Sequence, residues 1–199
     1  KADRAASQGL FLSLVHGILL SVGTVICIPY FLPMFTADNR ILAWGKEYAV
    51  IVLSFSVVVT VQIAFEKIYQ STGNMFVPMV CMAAGSITNI ILDPVFIFGL
   101  GPVPRLEVKG AAIATAIGQV VTLLLYLIWY CKKDMGLAIK KIYMKPSADI
   151  CRRVYMVGVP CSLTMGLPSL LITILNGFAA AFSPIYILIL GVYFKLQSF

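Results

Sequence analysis

Charge is scarce in this 199-residue chain. Asp, Glu, Lys and Arg make up 12% of it against 60% apolar residues, and the mean hydropathy is +0.97. That leaves too few polar side chains to cover the surface of a water-soluble globule, so the bilayer is the expected solvent. Histidine is scarcer still, with His16 alone. One imidazole cannot supply a Ser/His/Asp set at membrane depth, and the chain also lacks a nucleophile elbow, a phosphate-binding glycine loop and a zinc motif, so nothing points to an enzyme. The five cysteines (Cys27, Cys81, Cys131, Cys151, Cys161) include no C-x-x-C pair and read as small apolar residues, not a metal site or disulfide framework. No cofactor is called for. An initiator Met is missing, Lys1-Ala2-Asp3-Arg4 is polar where a signal peptide would be apolar, and the last apolar run is short, so the chain reads as a piece of a longer protein.

What is present is a series of apolar runs, each close to the roughly 20 residues that a helix needs to cross about 30 Å of hydrocarbon. Five runs cover residues 10–34, 48–65, 75–100, 110–130 and 154–182, and a sixth starts at 185–194. The expected fold is an all-α, polytopic membrane protein with about five complete transmembrane helices and the start of another.

The formal charge of +7 could suggest nucleic acid, but its placement argues for topology instead. Numbering the connections alternately, one side receives ten of the fifteen basic residues, seven of them within 131–153, and the other side receives only Arg40, Lys46, Arg105 and Lys109. By the positive-inside rule the basic side is cytoplasmic. The 131–153 stretch is the longest polar segment, and Pro146-Ser147 breaks it, so it resembles a connector between two bundles.

Asp93 is the single acid well inside an apolar run, and a carboxylate at membrane depth costs several kcal/mol unless protonated, paired or facing a watery cavity. Asn89 lies four residues earlier on the same helix face, with Gly85 a further turn back. Pro94 lacks an N–H and releases the carbonyl of Ile90, so three kinds of oxygen converge on one stretch, a set that hard cations prefer. The competing reading is that Asp93 caps a helix broken at Pro94. In the fourth run Gly110, Ala114 and Gly118 form a small-residue stripe for close helix approach, flanked by Thr115 and Gln119. Pro160 and Pro168 divide the fifth run, where Thr164 and Asn176 add polarity, as in a bent helix lining a cavity, although packing would also account for them. Gln62, Glu66 and Gln70 recur every four residues, with Glu66 and Lys67 reading as an interfacial pair. His16 reads as a neutral, hydrogen-bonded packing residue or a proton carrier.

The segments Gln70-Ser71-Thr72-Gly73-Asn74, Asn89-Ile90-Ile91-Leu92-Asp93-Pro94-Val95-Phe96-Ile97-Phe98-Gly99 and Lys109-Gly110-Ala111-Ala112-Ile113-Ala114-Thr115, with Gly158-Val159-Pro160 and Tyr193-Phe194-Lys195-Leu196-Gln197, resemble the multidrug and toxin extrusion (MATE) family. The resemblance covers essentially the whole chain and implies a twelve-helix transporter of two six-helix lobes. Residues 1–131 would supply helices three to six of the first lobe, 132–153 the cytoplasmic loop between lobes, and 154–199 helix seven and the beginning of helix eight. It implies a multi-pass antiporter of the bacterial inner (plasma) membrane that exports amphiphilic, cationic small molecules against inward Na⁺ or H⁺, with the lipid bilayer and the remaining helices as partners and no nucleic acid.

The resemblance further implies a first-lobe cation site of Asp93, Asn89 and Thr115, with Gln119, Pro160, Thr164, Pro168 and Asn176 lining the cavity. Some branches carry a coupling Glu on helix seven, where this chain has Pro168, so a second-lobe acid does not carry over. Two alternatives stand beside this reading. A lipid-linked precursor flippase would place basic residues within the helical cores, which have none here, and a non-transporting scaffold would use the buried polar residues for helix association alone.

Overall fold

The computed structural model describes residues 2–34, 39–99, 104–132 and 147–197. Helix α1 spans Ala2–Phe31 and ends in a 3₁₀ turn, Leu32–Met34; α2 is Asn39–Ser54, α3 Ser56–Ser71, α4 Phe76–Phe98, α5 Val108–Lys132, α6 Ala148–Phe182 and α7 Pro184–Gln197. No strand occurs among the described residues. Four helices, α1, α4, α5 and α6, are long and apolar enough to cross a membrane, and α2 with α3 makes a fifth span bent by 47°. This is the all-helical, multi-pass membrane architecture expected from the apolar runs. The chain divides into two units, Lys1–Pro146 and Ser147–Phe199.

Several element boundaries differ from the apolar runs, α2 starting at Asn39 and α3 ending at Ser71 among them, and three differences have a local reason. First, α1 begins at Ala2, eight residues before its run: its first turn is largely exposed, but Ser7 and Gln8 behind it are buried, and the Ser7 hydroxyl donates to the Asp3 carbonyl at 2.7 Å. Second, the 48–65 run is two helices. The Ser54 hydroxyl donates to the Val50 carbonyl and the Ser56 hydroxyl to the Leu53 carbonyl, both at 2.6 Å, and such back-bonding on either side of Phe55 bends a helix. Ser21 of α1 donates to the Ser54 carbonyl at 3.3 Å, a bond made across the break. Third, the connector expected over 132–153 ends early, because α6 starts at Ala148. Asp149 favours the positive end of the helix dipole and pairs with Arg153 one turn on at 3.4 Å. Residues 133–146 of that connector lie outside the described residues.

In the first unit the helices meet where side chains are smallest. A Cβ built on Gly85 of α4 would land on the Thr122 hydroxyl and lie 2.9 Å from the Gly118 carbonyl of α5. One on Gly118 would lie 3.0 Å from the Gly85 carbonyl and 3.2 Å from Asn89 Cβ, and one on Gly110 would lie 2.5 Å from the Phe96 carbonyl. The α4 and α5 backbones are therefore pressed together along three turns, as small residues allow in lipid. Gly17 brings α1 against α3 in the same way, with Val57 Cα 2.8 Å from the built atom. Toward the C-terminal ends of α3 and α5 the packing is aromatic. Tyr126 is fully buried between Phe65 (6.5 Å between ring centroids) and Tyr69 (5.8 Å), and Val77 and Cys81 of α4 close the cluster.

In the second unit α6 runs unbroken through Pro160 and Pro168 and is exposed along most of its length. A Cβ on Gly166 meets nothing within 4 Å.

These contrasts predict opposite effects of adding side chains. In the complete natural protein purified in detergent, Gly85→Val should lower the thermal midpoint, consistent with the about 1–3 kcal/mol typical of overpacking, whereas Gly166→Ala should leave it unchanged or raise it. An unchanged midpoint for Gly85→Val would mean that α4 and α5 are not in close contact there.

Candidate functional site

Helical periodicity places Gly85, Asn89 and Asp93 on one face of α4. Opposite, α5 presents Thr115, Gly118, Gln119 and Thr122, and the absence of a Cβ at both Gly85 and Gly118 brings the two polar rows within reach. The Asn89 amide nitrogen donates to Asp93 Oδ1 at 3.3 Å and to Thr115 Oγ1 at 3.5 Å. Both distances are long for N–H···O bonds, so the cluster is loosely tied. The Thr115 hydroxyl proton is spent on the Ala111 carbonyl at 2.9 Å, which leaves its oxygen as an acceptor facing Asn89. Asn89, Asp93 and Thr115, singled out from the sequence, thus come together across two helices.

The alternative of Asp93 as a helix cap is not what the structure has. Helix α4 continues past Pro94 to Phe98 and is capped by Gly99, at φ 73° and ψ 52°, whose N–H donates to the Val95 carbonyl at 3.1 Å. A left-handed glycine ends the helix, so Asp93 lies within it. Pro94 inside the helix leaves the Ile90 carbonyl without its i+4 donor, one turn from Asp93.

Beside this cluster lies a cavity of about 360 Å³ between α3, α4 and α5, lined by Gln62, Ser86, Asn89, Thr115, Gln119 and Thr122 among others. Asp93 is one turn beyond the lining, joined to it through Asn89. A second cavity of about 290 Å³, lined by Ile51, Phe55, Ile113, Ala116 and neighbours, is apolar throughout and offers no ligand. Gln119 lines the polar cavity. Pro160, Thr164 and Pro168 are exposed on α6 and Asn176 is half-buried there, all in the second unit, with the Thr164 hydroxyl bonded to the Pro160 carbonyl at 2.9 Å.

Three wall residues are not assigned to a site by the sequence patterns. Thr122 continues the Thr115–Gln119 stripe one turn on, a spacing visible in the sequence. Ser86 carries no periodic signal of its own. The four-residue spacing groups Gln62 with Glu66 and Gln70, but only the latter two form the interfacial network, with Gln70 Nε2 2.9 Å and Lys67 Nζ 3.1 Å from Glu66 Oε1. His16 donates from Nδ1 to its own helix at the Leu12 carbonyl, 2.7 Å away. Among the described residues no three His, Cys, Asp or Glu side chains gather as a metal would require. The oxygens that the structure brings together are the Asp93 carboxylate and the Thr115 hydroxyl, joined by the Asn89 amide, and oxygens of this kind are what hard cations and protons prefer.

Helices of membrane-spanning length, glycine-mediated packing and a polar cluster across two of them define a polytopic helical membrane protein. Comparison with known proteins narrows the class. The family signature described as MatE matches residues 1–95. The multidrug export protein MepA of Staphylococcus haemolyticus is 27% identical over all of this chain and that of Staphylococcus aureus strain NCTC 8325 is 26% identical; the chain spans 43% of the length of each. A solved MOP superfamily transporter from Pyrococcus furiosus superposes with a TM-score of 0.89 at 27% identity, over 98% of this chain and 43% of that one. The outward-facing conformation of a multidrug resistance MATE family transporter superposes at 0.80 with 30% identity, over 89% and 39% respectively. The chain is thus similar to proteins of the multidrug and toxin extrusion family over nearly all of its length.

Proposed function

We propose that the complete protein is a secondary antiporter of the bacterial plasma membrane, exporting amphiphilic, cationic small molecules against an inward flow of Na⁺ or H⁺, with Asp93, Asn89 and Thr115 as its coupling site. The observation that carries this reading is the Asn89 amide donating both to the Asp93 carboxylate on its own helix and to the Thr115 hydroxyl oxygen on α5. The relatives, multidrug export proteins by name, support the substrate class. Solved neighbours in the inward-facing and the outward-facing conformation of a MATE transporter support alternating access. In this reading α1 to α5 belong to the first lobe, α6 and α7 open the second, and the basic connections face the cytoplasm.

The mechanism follows from the oxygens. An empty site leaves the Asp93 charge with only a weak amide donor, which is costly at membrane depth. A cation or proton cancels that charge, and rotation of the Asn89 amide turns its own oxygen toward the cation alongside Thr115 Oγ1 and the Ile90 carbonyl. Because the ligands come from α4 and α5, occupancy changes how the two helices are drawn together beyond the Gly85–Gly118 contact, and Pro94 supplies the missing hydrogen bond at which α4 bends. A switch from mostly inward to mostly outward needs about 5 kcal/mol of differential cation binding between the two states.

The flippase reading has one point in its favour: the Pyrococcus furiosus transporter is described as having a binding pocket of reverse polarity that suggests a different function for that protein. Against it, the apolar runs of this chain contain no Lys or Arg with which to hold a pyrophosphate.

In everted vesicles carrying the complete protein, efflux of a fluorescent organic cation should respond to an imposed Na⁺ or H⁺ gradient. Asp93→Asn should reduce that response at least about tenfold, since coupling of this size depends on the charge. Efflux as fast as the parent's in Asp93→Asn, expressed at normal level, would refute the assignment. The hydroxyl has its own test. If Na⁺ is the coupling ion, saturating Na⁺ at about 100 times its Kd should stabilise the parent by about 2.7 kcal/mol in detergent, an effect that Thr115→Ser keeps and Thr115→Val diminishes.

A further inference from the structure

The wall of the polar cavity is richer in acceptors than its packing explains. Gln62, 8% exposed, comes from a third helix, α3, and its Oε1 has no hydrogen-bond partner. An orphaned acceptor inside a membrane span is costly unless water or a cation meets it. Two further walls present the same face. The Thr115 and Thr122 hydroxyl protons are spent on the Ala111 and Gly118 carbonyls of their own helix, each at 2.9 Å, which turns their oxygens into acceptors. Among the described residues no basic side chain lines the cavity, and its side-chain donors are those of Ser86, Asn89, Gln119 and Gln62 itself. At about 360 Å³ it has room for several waters, each about 30 Å³ in the liquid. Among the described residues the lining has no aromatic ring and no acid, the groups that would hold an amphiphilic organic cation, and its polar groups suit water and a small ion.

The acceptors are also in order. Along α5, Thr115 and Thr122 are about 10 Å apart at 1.5 Å per residue. Across from Thr122, Gln62 leads one turn on to Glu66, whose carboxylate is largely covered and is held by Lys67 and Gln70. The series therefore runs from Asp93 toward the Glu66 end of the bundle.

We infer that this cavity is the water-filled route by which the coupling cation passes between the Asp93 site and the Glu66 side of the membrane, with Gln62 as the positioning residue along it. The inference rests on the antiporter reading and adds to it a path for the coupling cation. A merely structural Gln62 would instead sit in a dry, sealed wall.

The test uses the complete protein with its native cysteines replaced and one new cysteine, Gln119→Cys, or Ser86→Cys should the first fold poorly. A membrane-impermeant cationic thiol reagent is offered from each face of the vesicle, and labelling is read as a mass shift. Labelling from the Glu66 side, measured at one fixed pH, is the expected result, and high Na⁺ should slow it where Na⁺ is the coupling ion. Labelling from the opposite face only, or from neither face at either position, overturns the inference. Gln62→Leu should raise the cation concentration for half-maximal efflux about fivefold, the factor of one lost hydrogen bond, while Gln62→Glu, which keeps the acceptor, should not. Equal half-maximal concentrations in Gln62→Leu and parent would also overturn it. Because labelling does not depend on transport, the two readings fail separately: a labelled protein without gradient-driven efflux refutes the antiporter, and an active antiporter without labelling refutes the route.

Discussion

The distance between two helix backbones governs the polar site. Asn89 reaches Thr115 only because nothing larger than hydrogen stands at Gly85 and Gly118, where any added Cβ would collide with the facing helix. In water such a contact would compete with the burial of larger apolar side chains. In lipid, where the tails are as apolar as leucine, close backbone approach and van der Waals packing are themselves the cohesive force. The same glycines that hold α4 against α5 thus bring an amide, a carboxylate and a hydroxyl into one cluster, and a change that widened the gap would dissolve packing and site together.

How much of this is legible in the sequence follows from which signals are local. Asp93 stands out through the cost of its charge, Asn89 through the four-residue period, and Gly110, Ala114 and Gly118 through theirs, so the α4–α5 half of the cluster can be read directly. Thr115 is weak by itself, since a membrane threonine usually bonds its own backbone, as this one does with Ala111. What distinguishes it is Asn89 on the neighbouring helix, which no periodicity along α5 reports. Gln62 is harder: its spacing to Glu66 and Gln70 suggests an interfacial row, whereas the row turns inward at its first member. Which face of α3 meets α5 depends on the bend at Phe55, and that bend arises from two serine hydroxyls in a run that hydropathy reads as continuous.

The prolines teach a related lesson. Pro94 suggests a broken helix with Asp93 at its end, and Pro160 and Pro168 suggest a bent fifth helix. All three lie inside continuous helices. A helix in hydrocarbon has no water to satisfy backbone groups released by unwinding, so the lost bond at proline is tolerated locally and the helix goes on. Hydropathy errs in the opposite direction at the ends. It sets the start of α1 at residue 10 and that of α6 at 154, because polar opening turns held by Ser7 and by the Asp149–Arg153 pair are helical without being apolar.

The balance of donors and acceptors bears on scaffold against transporter. Polar residues that serve only to join helices can satisfy one another, and a helix pair gains by matching each acceptor with a donor. Here the acceptors outnumber the donors that meet them. Asn89 divides one amide group between two oxygens at long range, Thr115 and Thr122 have turned their protons away, Pro94 has released a carbonyl, and the Gln62 oxygen has no partner. Such a surplus weakens a scaffold, because each unmatched oxygen retains its desolvation cost. It is what a site that exchanges a cation or proton requires: enough unsatisfied oxygen to draw the ion in, and too loose an arrangement to keep it.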